Sequence, residues 1–190
     1  FSSYVTLGIE RGKYLNKPRP RGIIVIGAFD RLKPSLDYKS PLKFLVSLIK
    51  YPLRFLNYKI KLQKFNRYLY KQKFEIKRHS QITKNPINSQ SEGIALADEM
   101  LNKIAESEII ITSRIHAALP ALSMGLKVIF IDEGLEHTNH KMRLSGLKNY
   151  FHTVYLKDFF ITNLEDVKNM KNHNIYSQKL KQTINKFKSQ

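Results

Sequence analysis

Cysteine is absent from the 190 residues. No disulfide can form and no thiolate can hold a metal, which fits a cytoplasmic protein without requiring one. Long apolar runs are missing as well. None approaches the roughly 18–20 residues of a membrane-spanning helix, and no signal peptide is visible in a chain that starts at Phe1 rather than at methionine. Acidic side chains are scarce, 15 against 33 lysines and arginines, for a formal charge of +18. Such a field favours polyanions, anionic lipid surfaces or small anionic substrates. Compositional bias explains the excess equally well, because lysine, asparagine and isoleucine are abundant throughout. The basic residues form no arginine-rich block and no nucleic-acid motif, so nucleic acid is not an expected partner. G-x-G-x-x-G and the phosphate loop ending in G-K-S/T are both missing, which argues against dinucleotide and nucleoside-triphosphate enzymes. Histidines do not pair as H-x₃-H with a carboxylate on one helix face, and His137-x-x-His140 is a short loop spacing, so no metal is expected. Without an internal repeat or a low-complexity linker, one domain is the simplest account.

The chain is organised around Ser107–Glu133, SEIIITSRIHAALPALSMGLKVIFIDE. Glu108–Thr112 is a β-branched run with the length of a buried strand. Ile115–Met124 places apolar and small residues on a short helix, and Gly125 is a natural stop just past its end. Lys127–Ile131 reads as a second buried strand. Two such strands joined by a helix make a parallel βαβ unit, and the ligand site of such a sheet lies beyond the carboxyl ends of its strands. That edge carries Thr112, Ser113, Arg114 and His116. Arginine presents a planar fork suited to carboxylate or phosphate. The helix N-terminus adds unpaired N–H groups and partial positive charge. Histidine exchanges protons near neutral pH. The four together predict an anion site with an acid/base group inside it.

The order ITSRIHAALPALSMGLKVIFID resembles the signature of the polysaccharide pyruvyl transferase family. There a strand ending in T-S-R is followed by x-H-x-A, a short helix of small residues, G-x-x-V and another strand. The likeness extends upstream through Leu96–Ala105 and downstream to Arg143–Leu147, and the opening FSSYVTLG is similar to that family's segment between its two lobes. It implies an α/β fold with a Rossmann-like parallel sheet flanked by helices, like the second lobe of GT-B glycosyltransferases. Residues 1–21 are then an inter-lobe connector, 22–190 form a single lobe, and the N-terminal lobe is missing, so the fragment alone is expected to be inactive. Phosphoenolpyruvate is implied as donor substrate, a saccharide or lipid-linked saccharide as acceptor, and no cofactor.

Along the chain, Gly22–Ala28 reads as the first strand of the lobe, with Phe29 and Asp30 at its carboxyl edge. Ser40-Pro41 starts a helix, serine as N-cap and proline first inside it, with helical spacing up to Pro52. From Lys50 to Lys77 basic residues interleave with aromatic and aliphatic ones. Three readings remain open for this stretch: a helix covering the sheet with a lysine-rich outer face, an interfacial helix holding the enzyme at anionic membrane through residues 40–78, or a groove stacking nucleic-acid bases. The second would place the protein at the inner face of the membrane. Phe74–Lys77 is the next expected strand, ending near His79. A helix over 91–105 with Ser91 as cap, a short helix over Lys141–Tyr150, a last strand over His152–Leu156 and helices over Ile161–Met170 and Ser177–Phe187 complete the expectation.

By the resemblance, Arg114 and His116 are the catalytic pair, with Thr112, Ser113, Arg114 and Arg143 binding the donor. Glu133, Asn139, His140 and His79 are expected contacts to acceptor or donor, and Asp30 shares their edge. Two other classes stay open: a GT-B glycosyltransferase using a nucleotide sugar, with Asp132-Glu133 imitating its ribose-binding acids, and a non-catalytic basic binding module.

Overall fold

The structure, a computed structural model, describes residues 9–14, 22–80, 86–134, 146–169 and 182. Its centre is a five-stranded sheet in which every pairing is parallel, in the order β2-β1-β3-β4-β5. The strands are β1 (Ile23–Ile26), β2 (Ile76–His79), β3 (Ile109–Thr112), β4 (Lys127–Ile131) and β5 (His152–Val154). The helices are α1 (Pro41–Tyr70), α2 (Gln90–Ala105), α3 (Ile115–Ser123) and α4 (Leu156–Phe159). This is the α/β architecture that the strand–helix–strand pattern predicts.

β1 and β3 are buried at every residue, as strands covered on both faces must be. Their side chains alternate between two cores. Ile24, Ile26, Ile110, Val128 and Phe130 meet α2 and α3 on one face; Ile23, Val25, Ile109, Ile111, Ile129 and Ile131 meet Phe65 and Leu69 of α1, with Phe159 of α4, on the other. Three alanines of α3, Ala117, Ala118 and Ala121, are fully buried and let this helix lie close to the sheet. Gly125 follows α3 with φ +79° and ends it. Residues 9–14 dock on the lobe. The Arg11 guanidinium donates to the carbonyls of Ala105 and Ser107 at 2.6–3.1 Å, satisfying the end of α2.

Several expectations need correction. α1 is one helix of 30 residues through Pro52, joining the helix begun at Ser40-Pro41 to the one read from Lys50, and it ends at Tyr70 rather than Lys77. Proline costs the helix one hydrogen bond, and stacked Tyr51 and Phe55, centroids 5.8 Å apart, bridge the weak turn. The cap of α2 is Ser89, not Ser91: its hydroxyl accepts from Glu92 N at 3.1 Å, while the Glu92 carboxylate accepts from Asn88 N at 2.8 Å. Serine followed by glutamate three residues on is close to a capping box, displaced by two positions from the expected start. β2 begins at Ile76 instead of Phe74, and β5 ends at Val154, where the chain turns into α4. No helix forms over the described residues of Ile161–Met170. Asn163 closes a single turn with Asp166, Leu164 and Val167 are buried, and the Asn169 side chain pairs with Val128 N and Leu126 O at the start of β4. Those amide contacts hold the segment against the sheet in place of a helical ladder. The start of the Lys141–Tyr150 helix, the Ser177–Phe187 helix and the connector before Ile9 lie outside the described residues; Lys148–Tyr150 is one turn of 3₁₀ helix.

Candidate functional site

The strand order reverses at β1. Its crossover leads through α1 to β2 on one side, whereas β3 lies on the other. The carboxyl ends of β1 and β3 therefore flank the topological switch point, where a parallel sheet opens a crevice. Gly27 to Arg31 leave β1 there, and Ser113 and Arg114 leave β3.

Two hydroxyls fix this edge. Thr112 donates to Ile26 O at 2.6 Å and accepts from Arg114 N at 2.9 Å; Ser113 donates to Gly27 O at 2.7 Å. Both residues are essentially fully buried. Expected as ligand contacts, their hydroxyls instead face β1 and set the height and direction of Arg114. Gly27 turns away with φ +59°, a conformation that glycine adopts freely. A β-carbon there would come within 2.7 Å of Arg114 Nε and 2.9 Å of Asp30 Oδ2. The missing side chain is the space through which arginine and aspartate meet.

Arg114 is the N-cap residue of α3 and reaches back across β1. Its Nη2 and Nε lie 2.8 and 3.2 Å from one oxygen of Asp30. The guanidinium remains partly open to solvent, with 28% of the side chain exposed, and has further donors for a ligand. His116 sits in the first turn of α3 with an exposed side chain. Beside this pair lies a second guanidinium. Burial, and then the neighbouring positive charge of Arg114, push the Arg31 pKa down. Arg31 Nη1 is buried without a hydrogen-bond partner among the described residues. Its β-carbon would be 3.4 Å from one placed on Gly134, just past β4.

The remaining charges along the edge are paired. Lys148 Nζ lies 2.6 Å from both oxygens of Asp132. Lys61 of α1 lies 2.6 Å from Glu133 Oε1, and the other Glu133 oxygen accepts from Leu156 N at the start of α4. Asp30, Asp132 and Glu133 each hold one cation, which leaves Arg31 as the charge without a carboxylate here among the described residues. Glu133 also lines a hollow of about 410 Å³ with Lys61, Lys64, Tyr155 and Phe160, a size in the range of small-ligand sites.

His79 stands on the outer strand, level with Ile26. Its Nδ1 lies 3.4 Å from Lys103 Nζ of α2, and burial followed by that lysine lowers its pKa. It faces α2 and is not brought to Arg114. Asn139, His140 and Arg143 lie outside the described residues. Among the described residues no three histidine, aspartate or glutamate side chains are grouped to hold a metal.

Sequence reasoning missed Gly27 and Arg31. A signal existed for the first, since glycine directly follows a buried β-branched strand that ends on the ligand edge. None existed for the second, because Arg31 stands out by having no carboxylate partner among the described residues.

A family model described as polysaccharide pyruvyl transferase matches residues 12–134, more than half of the chain. The match spans β1 through β4 and contains every element that builds the Arg114 edge. Comparison with curated proteins and with solved structures gave no match.

Proposed function

The chain belongs to the polysaccharide pyruvyl transferase family, and from that premise we propose that it transfers the pyruvyl group of phosphoenolpyruvate to two hydroxyls of a saccharide, forming a ketal and releasing phosphate. The observation that carries this reading is the pair of guanidiniums at the switch point: Arg114 is paired to Asp30, and Arg31 has no carboxylate partner among the described residues. A donor bearing both carboxylate and phosphate suits two planar forks.

The reaction needs a proton at the methylene carbon of the donor. This turns C2 into an electrophile that a sugar hydroxyl attacks; the C2–O bond to phosphate then breaks, and a second hydroxyl closes the ketal. One hydroxyl hydrogen ends on the new methyl group and the other on phosphate. His116, two residues beyond Arg114 and exposed, is the proposed proton donor. Arg114 and Arg31 hold the donor and stabilise charge on the departing phosphate, an effect worth a few kcal/mol per aimed group. Thr112, Ser113 and Gly27 act by positioning Arg114. The hollow beside Glu133 is the proposed entry of the acceptor, with Tyr155 and Phe160 as apolar surface for a sugar ring. Asp132 and Glu133 hold Lys148 and Lys61, which weakens their reading as ribose-binding acids of a nucleotide-sugar enzyme.

The test is phosphate release from phosphoenolpyruvate with a panel of glycosides, using an enzyme that carries this chain. Arg114→Ala is expected to lower turnover by about a hundredfold or more. Unchanged turnover in that variant would remove Arg114 from the chemistry.

A further inference from the structure

The most unusual surface of the molecule lies away from the switch point, on the first two-thirds of α1. The 30-residue helix contains no aspartate or glutamate but carries Lys43, Lys50, Arg54, Lys59, Lys61, Lys64 and Arg67. Only its latter half packs on the sheet, through Phe65 and Leu69. Lys61 is tied to Glu133, just beyond the carboxyl end of β4. Because α1 runs back towards the start of β2, the residues before Lys61 extend past the edge that carries Arg114. At 1.5 Å per residue, Pro41–Ile60 is an arm of roughly 30 Å.

The inner side of the arm is covered by its own loop: Asp37 N donates to Ser47 Oγ at 3.1 Å and Tyr38 stacks on Phe44. The outer side is not covered. Leu42, Leu45, Ile49, Leu53, Leu56 and Ile60 recur at spacings of three and four, which places them on one stripe. All six are more than half exposed, and Leu42, Ile49 and Leu53 more than 70%. Helical geometry puts Lys43, Lys50 and Arg54 along one side of the stripe and Lys59 near the other. Past Ile60 the same face turns polar with Gln63, Lys64 and Arg67, so the apolar stripe ends where the arm meets the body.

We propose that this arm docks the protein on an anionic lipid bilayer, its aliphatic stripe lying in the interface and its basic flanks against headgroups. The chemistry selects this occupant. An aliphatic stripe of this length between cations, with no acid on the helix, combines the two forces that hold a helix in the plane of a membrane: apolar burial and attraction to negative lipid. A second copy of the same face would bring unbalanced positive charges together. No described helix is long and apolar enough to cross the bilayer, so contact is peripheral. The arm leaves the body on the side of the switch point, which turns that edge towards the membrane surface. The inference concerns lipid binding alone and stands or falls independently of pyruvyl transfer.

The chain contains no tryptophan, so Leu53→Trp gives a single reporter on the stripe. Its emission is expected to shift to the blue with vesicles of phosphatidylcholine mixed with phosphatidylglycerol, not with phosphatidylcholine alone, and to return as salt approaches about 1 M, where charges are screened within about 3 Å. In co-sedimentation of the otherwise unmodified chain, Lys50→Ala with Arg54→Ala is expected to lower partitioning roughly thirtyfold, about fivefold for each charge. Ile49→Ser, Leu53→Ser and Leu56→Ser together are expected to abolish sedimentation with vesicles and leave the melting temperature unchanged, since those side chains touch little. The proposal is overturned if the indole emission of the Leu53→Trp variant ignores anionic vesicles. It is equally overturned if the triple serine variant sediments as the parent does, which would make binding a matter of net charge. A parent that self-associates through the stripe and ignores lipid would overturn it too, and would identify a second copy as the occupant.

Discussion

Replacing Gly27 by alanine perturbs the switch point through one methyl group. Two costs follow from the structure. The backbone at φ +59° is left-handed, and a non-glycine residue there costs roughly 1–2 kcal/mol. The new β-carbon would also stand 2.7 Å from Arg114 Nε and 2.9 Å from Asp30 Oδ2. Both are ends of flexible side chains, 28% and 35% exposed, so the ion pair yields rather than the strand. For a chain of this length the backbone term lowers the melting temperature by about 2–8 °C, while the fold survives. The guanidinium has to move by several tenths of an ångström or more, and a displacement near 1 Å costs on the order of a hundredfold in rate. The expected signature is therefore a small loss of stability with a large loss of turnover. Calorimetry of the variant, beside phosphate release from phosphoenolpyruvate with glycoside, measures both. An alanine variant that melts a few degrees early yet turns over at the parental rate would refute the placement of Arg114 at the reacting centre.

Other outcomes follow from neighbouring residues. Arg31→Met keeps an apolar stem and removes a partly buried cation that has no carboxylate partner among the described residues, so stability is expected to hold or rise, while the donor KM rises about 10- to 150-fold from the loss of a charge-assisted bond; denaturant titration and steady-state kinetics separate the two. Thr112→Val preserves shape but leaves Arg114 N without its acceptor, at about 1–3 kcal/mol, and Thr112→Ser is expected to restore most of that stability in the same titration. His79 titrates below its ordinary value in the folded chain. The unfolded chain therefore takes up the proton first, and stability present above about pH 6.5 is lost as pH falls below it. Denaturation midpoints at about pH 7.5 and 5.5 are expected to differ less in His79→Gln than in the parent.

Local pattern determines what is legible in this sequence. Ile23–Ile26 and Ile109–Thr112 read as strands because burial on both faces selects β-branched runs, and Ser40-Pro41 reads as a helix start because cap and first-turn chemistry are local. Pro52 divides the pattern for the same reason: local spacing is readable up to it and again from Lys50 on, and that the two parts are one helix follows from the stacking of Tyr51 on Phe55 and the packing of Phe65 and Leu69 on the sheet. Ser89 escapes notice because its partner Glu92 suits a later helix start just as well. Leu164 and Val167 have a spacing compatible with a helix, yet Asn169 ties that segment to the head of β4, a contact 41 residues away. At the site, the T-S-R-x-H order points to the carboxyl edge of β3, but the inward direction of the Thr112 and Ser113 hydroxyls depends on carbonyls 86 residues distant.

The charge of Arg31, without a carboxylate among the described residues, couples anion binding to folding. Among the described residues three carboxylates each hold one cation and Arg31 has no carboxylate partner, so the switch point keeps two like charges close in a partly dry setting. Any small anion that enters relieves that repulsion and so strengthens the folded state in proportion to its occupancy. Inorganic phosphate, the leaving group of the proposed reaction, is itself such an anion. Phosphate should therefore act as a thermal stabiliser and as a competitor with the donor, two effects governed by one binding constant.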